Sequence, residues 1–90
     1  MTQPPGLPVV TRAELVRQIE ACLAGTLDTG ALAGWAFDRF YAEELGEALF
    51  EHGAEELVAD TLDALMFGDD PSFRMEQQEL RGLIARLGSV

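Results

Sequence analysis

The chain contains no lysine, and its basic residues are six arginines; it has one cysteine, one histidine and one tryptophan. With Cys22 alone, an internal disulfide is excluded. With His52 alone, so are the paired Glu-x-x-His motifs of di-metal bundles, and leucine stands at position 49 where the glutamate of such a motif would be needed. No apolar window reaches the roughly 18 to 20 residues of a membrane helix, because Glu, Asp, Arg or Gly interrupts each candidate. The opening MTQPPGLPVV lacks the basic region and apolar run of a secretion signal, so a cytoplasmic location is expected. There is no glycine-rich phosphate loop, and no motif sets His52 beside Ser72 or Ser89 for nucleophilic hydrolysis. A basic stripe interleaved with aromatics is also missing, which argues against direct binding of nucleic acid.

What is present is acid. The formal charge is −10, and ten of the sixteen acidic residues lie in residues 41–70, YAEELGEALFEHGAEELVADTLDALMFGDD, which hold no arginine. The other six acids balance the six arginines, so the whole net charge comes from the middle third. Hydrophobic residues at 48% nevertheless place the chain among folded proteins. Ninety residues allow one domain, which buries only roughly 60 to 65% of the surface its unfolded chain exposes.

The proline and glycine of QPPGLP predict an irregular tail or strap over residues 1–10, ahead of a single helical domain over 11–90. The T-R-A-E run at Thr11 is a capping box. Leu15, Ile19, Cys22 and Leu23 follow it at helical spacing, and Gly25 suits the left-handed residue after a helix end. Asp28 or Thr29 caps a second helix carrying Leu32, Trp35, Ala36 and Phe40. A third runs through Val58, Thr61, Leu62, Leu65 and Met66, with breaks at Gly46, Gly53 or both. FGDDPSF reads as a loop, and Leu80, Leu83, Ile84 and Leu87 mark a last helix. The spacing predicts helices over 12–24, 30–44, 54–67 and 76–87, packed as an all-α antiparallel bundle of about four helices. Its expected core is Leu15, Ile19, Leu23, Leu32, Trp35, Phe40, Val58, Leu62, Leu65, Leu80, Ile84 and Leu87, with Phe37 and Tyr41 left exposed.

Candidate chemistry is sparse. Cys22 falls late in its helix on the apolar side and reads as core filler, not as a nucleophile. His52 and Glu56 would share a helix face, yet with no further ligands they make no metal site, and GDDPSF lacks the EF-hand spacing. No enzymatic activity, metal or cofactor is expected. ADTLDALM faintly resembles the Asp-Ser-Leu attachment motif of acyl carrier proteins, although its hydroxyl residue, Thr61, falls on an apolar helix face.

The candidate binding residues are Glu43, Glu44, Glu47, Glu51, Glu55, Glu56 and Asp60. On one continuous helix Glu43, Glu47, Glu51 and Glu55 form a like-charge stripe, the favoured contact set, each neighbouring pair costing a few tenths of a kcal/mol. A turn at Gly46 or Gly53 would instead move part of the set to a second helix. Such a field of one sign speeds encounter with a basic protein partner and fades with salt.

TRAELVRQIEACLAGTLD, the Trp-Ala pair at 35 and 36, the acidic middle, DTLDAL at 60–65 and the closing ELRGLIARL together resemble small bacterial helical proteins of the colicin D immunity-like type. That resemblance implies an antitoxin, which covers the active site of a basic nuclease toxin with acids placed where RNA phosphates would lie. The alternative is a stand-alone structural or regulatory module that binds an adaptor or itself through an apolar patch, its acids merely solvated.

Overall fold

The structure, a computed structural model, describes residues 6–68 and 76–88. Four helices carry the fold: α1 (Arg12–Leu23), α2 (Thr29–Glu44), α3 (Glu55–Met66) and α4 (Gln77–Gly88). Among the described residues the fold is all-α apart from two strands of two residues each, β1 (Val9–Val10) and β2 (Leu49–Phe50). Helix α2 packs along α3, and α1 along α4.

The helix starts follow the side chains that can accept from free first-turn amides. Thr11 Oγ1 accepts from the Glu14 amide at 3.1 Å, and Asp28 Oδ1 from that of Ala31 at 2.7 Å. Helix α3 begins behind Ala54 with no side-chain cap, but Glu55 and Glu56 in its first turn suit the positive end of the helix dipole. Gly25, at φ +84°, follows the end of α1, its amide bonded to Cys22 O while Thr26 reaches Ala21 O.

One apolar cluster joins the elements: Leu15 and Ile19 of α1, Leu32 and Ala36 of α2, Val58, Leu62 and Leu65 of α3, and Leu80, Leu83 and Leu87 of α4. Four expected core residues, Leu23, Trp35, Phe40 and Ile84, sit at its margin, partly buried. On α4 the fully inward row is i, i+3, i+7 through Leu83, so the face is turned slightly from the one centred on Ile84.

Of the two expectations for residues 1–10, tail or strap, the end of the segment follows the strap. Val9 and Val10 pair in parallel with Leu49 and Phe50. The Leu49 amide donates to Pro8 O at 2.9 Å, and the Glu51 amide to Val10 O at 3.0 Å. Val10 is 2% exposed and belongs to the core, which sets the start of the body before Thr11. Residues 1–5 of the tail and Asp69–Phe73 of the FGDDPSF loop lie outside the described residues, as do Ser72 and Ser89.

Candidate functional site

The acidic segment is not one helix. Helix α2 stops at Glu44, where the Gly46 amide bonds to Glu43 O and the Glu47 amide to Ala42 O, a closure that needs the positive φ of Gly46, +76°. The chain turns again at Gly53, φ +85°, within a turn closed by the Ala54 amide on Glu51 O at 3.0 Å. Both glycine breaks are therefore used, and the stripe Glu43, Glu47, Glu51, Glu55 does not form. Glu43 and Glu44 end α2, Glu47 lies in the connection, Glu51 follows β2, and Glu55, Glu56 and Asp60 belong to α3.

Glu51 faces the body. Its Oε1 accepts from the Arg12 backbone amide at 2.8 Å, and its Oε2 accepts from Arg12 Nε at 2.9 Å and lies 2.7 Å from Nη2. One carboxylate thus caps the start of α1 and holds a forked guanidinium, tying β2 to α1 across 39 residues of sequence. The hydrogen bonds and charge of Arg12 hold the Glu51 carboxyl below the usual glutamate range. A carboxyl lowered by folding adds stability that is complete above its unfolded pKa, about 4.3, and that disappears as pH falls through the lower folded value. Glu51→Gln is accordingly expected to lower the melting temperature at pH 7. The gap to the wild type should close as pH falls below about 4, which thermal melts across pH will show.

Glu55 is also engaged: its Oε1 accepts from the Gly53 amide at 2.9 Å, and its Oε2 lies 3.7 Å from His52 Nδ1. His52 is in the turn, fully exposed, and shares no helix face with Glu56. Among the described residues no group of three or more His, Cys, Asp or Glu side chains converges as a metal site would require.

Glu43, Glu44, Glu47, Glu56 and Asp60 remain exposed, and none makes an ion pair among the described residues. Glu43 and Glu44 stand at the negative end of the α2 dipole with no basic residue in the last turn, an arrangement that costs a few tenths of a kcal/mol each at the surface. The sequence places like charge where the fold gains nothing from it.

Beside these acids, the outer face of α2 is apolar. Phe37, Tyr41 and Leu45 follow at i, i+4 and i+8 and are 53%, 40% and 72% exposed. The Phe37 and Tyr41 rings lie 4.7 Å apart, and Phe40, packed on the core, meets Tyr41 edge-on at 5.4 Å, so the exposed rings are held in place. Gly34 lies on the same side, exposed, and a Cβ there would meet nothing within 4 Å. A glycine inside a helix costs about 1 kcal/mol relative to alanine, and no contact among the described residues requires it.

The remaining candidates are structural. Cys22 is half-buried against the core, and its thiol is pushed up first by burial and then by the charge of Asp28, the reverse of what activates a nucleophile. Thr61 is 2% exposed and its hydroxyl donates to Leu57 O at 2.7 Å, which leaves the carrier reading without an accessible attachment point. An open groove of about 600 Å³ beside the Arg12–Glu51 pair is lined also by Ala13, Val16, Arg17, Leu87 and Gly88, and none of these described residues is a nucleophile or a histidine.

Sequence reasoning had identified Phe37 and Tyr41 as exposed; it missed Leu45, which continues their spacing, and Arg12 as the partner of Glu51. Compared with models of protein families, with curated proteins and with solved structures, the chain matches none, and the likeness to colicin D immunity-like proteins rests on sequence pattern alone.

Proposed function

We propose that this protein is a non-catalytic binding protein that captures a basic protein through Glu43, Glu44, Glu47, Glu56 and Asp60, and that its partner is a nuclease-type toxin which it neutralises. The observation that carries the reading is the pair Glu43 and Glu44, exposed at the wrong end of a helix dipole and without an ion pair among the described residues. A cation brought by a partner turns that cost into attraction, both with the carboxylates and with the negative end of the helix dipole. The toxin assignment draws on the sequence resemblance, and on the match between an acidic surface and a site built for phosphates. Glu51 and Glu55 fall outside the contact set, because the fold already occupies them.

A second reading, a self-associating module, takes support from the exposed Phe37, Tyr41 and Leu45. A charge of −10 on each copy opposes that pairing and favours a partner of opposite sign. The test is a capture from the native host with wild-type protein and a Glu43→Gln/Glu44→Gln/Glu47→Gln variant as paired baits. The wild type should retain a basic protein whose inhibition as a nuclease can be assayed, and the variant should retain it weakly as salt rises. Equal retention by both baits at every salt concentration would leave the acids as solvated surface.

A further inference from the structure

We infer that the outer face of α2, from Gly34 through Phe37 and Tyr41 to Leu45, is the seat of an amphipathic basic helix of the partner. The inference rests on the reading of the protein as a binder of basic proteins and identifies the surface and the shape of what it takes. At 100° per residue, Gly30, Gly34, Phe37, Tyr41 and Leu45 fall within an arc of about 80° on the side of α2 away from the buried Leu32 and Ala36.

Within that arc, two features have no packing partner elsewhere among the described residues. The first is Gly34, which weakens the helix while facing open space. A glycine facing outward lets a second helix come close, where a larger side chain would hold the two axes apart. The second is the ring pair Phe37 and Tyr41 with Leu45 beyond it, a row of anchors at the spacing that a docked helix reads.

Charge then selects the occupant. Asp38 and Glu44 are both exposed and fall about 20° outside the arc, one on each side, whereas Glu43 points to the far side of the helix. An apolar floor with acidic walls accepts a helix that has an apolar face and basic flanks. A second copy would set acid against acid, and an extended basic segment would leave the apolar floor uncovered.

The test uses three synthetic peptides: a Leu/Lys peptide with leucine at helical spacing, a scrambled Leu/Lys peptide of equal charge, and the Leu/Glu counterpart of the first. Each is titrated into wild-type protein, Gly34→Leu and Phe37→Ser/Leu45→Ser at low and high salt, with sedimentation of the protein alone. The positions changed are exposed, and thermal melts will confirm the fold. The wild type should bind the helical Leu/Lys peptide best and reject the Leu/Glu peptide. Both variants should bind it about tenfold or more weakly, as loss of an interface anchor does. Gly34→Leu should at the same time melt higher than the wild type, which separates lost binding from lost fold.

Equal binding of the helical and scrambled peptides, or undiminished binding by Gly34→Leu, would overturn the α2 seat while leaving capture of basic proteins standing. Failure of both Leu/Lys peptides, or equal binding of the Leu/Glu peptide, would overturn both readings. Self-association of the wild type that Phe37→Ser/Leu45→Ser abolishes would assign the face to a second copy and overturn the basic occupant.

Discussion

Leu62→Ala is expected to remove about 3 kcal/mol of folding stability, within the range of about 2 to 5 for a buried leucine cut to alanine. Leu62 is 0% exposed on α3, within the cluster that draws on all four helices. Truncation there loses the transfer energy of the missing methyl groups and leaves a cavity that packed neighbours close only in part. At about 0.05 to 0.15 kcal/mol per residue, a chain of 90 residues has about 5 to 13 kcal/mol in total, so one such change is a large share. Urea titration at constant slope measures the loss; a change below about 1 kcal/mol would place Leu62 at the margin of the core.

Val10→Asp should be as damaging or worse, at about 3 to 5 kcal/mol, the cost of a buried charge with no partner. The neighbouring change Val9→Asp should stay within about 0.5 kcal/mol, because a surface substitution away from special contacts does little. Val10 is 2% exposed and Val9 46%, although both pair with β2. The contrast separates a strap that is part of the body from a loose tail. Equal and small effects at the two positions would show that the chain before Thr11 does not pack.

The helices were legible because each carries a whole apolar stripe. Leu15 and Ile19, Val58, Leu62 and Leu65, and Leu80 and Leu87 are where 3.6-residue spacing puts them, and the caps Thr11 and Asp28 have few local alternatives. The strands were not legible. Two residues cannot display an alternating pattern, and Val9–Val10 is drawn into a parallel pair by Leu49–Phe50, about forty residues distant in sequence.

The acid stripe failed for a related reason. Four-residue spacing joins Glu43, Glu47, Glu51 and Glu55 only if the helix continues, and two positive-φ glycines within the run were decisive. The Arg12–Glu51 pair lies 39 residues apart in sequence and has no local signature. Gly34 has no local signature either, and only the structure shows that it is exposed with nothing within 4 Å of a Cβ among the described residues.

The central claim is that the acids divide by position, Glu51 holding the fold and Glu43, Glu44 and Glu47 meeting the partner. One paired measurement tests it directly: melting temperature and the rate of association with the captured partner, at low and high salt, for Glu51→Gln and for the Glu43→Gln/Glu44→Gln/Glu47→Gln variant. The triple variant should melt at or slightly above the wild type, since it loses only like-charge repulsion and an unfavourable dipole contact, and it should associate about tenfold or more slowly at low salt with a flattened salt response. Glu51→Gln should melt lower while its folded fraction associates at the wild-type rate. The opposite pattern, a destabilised triple variant that associates normally and a stable Glu51→Gln that does not, would contradict the account.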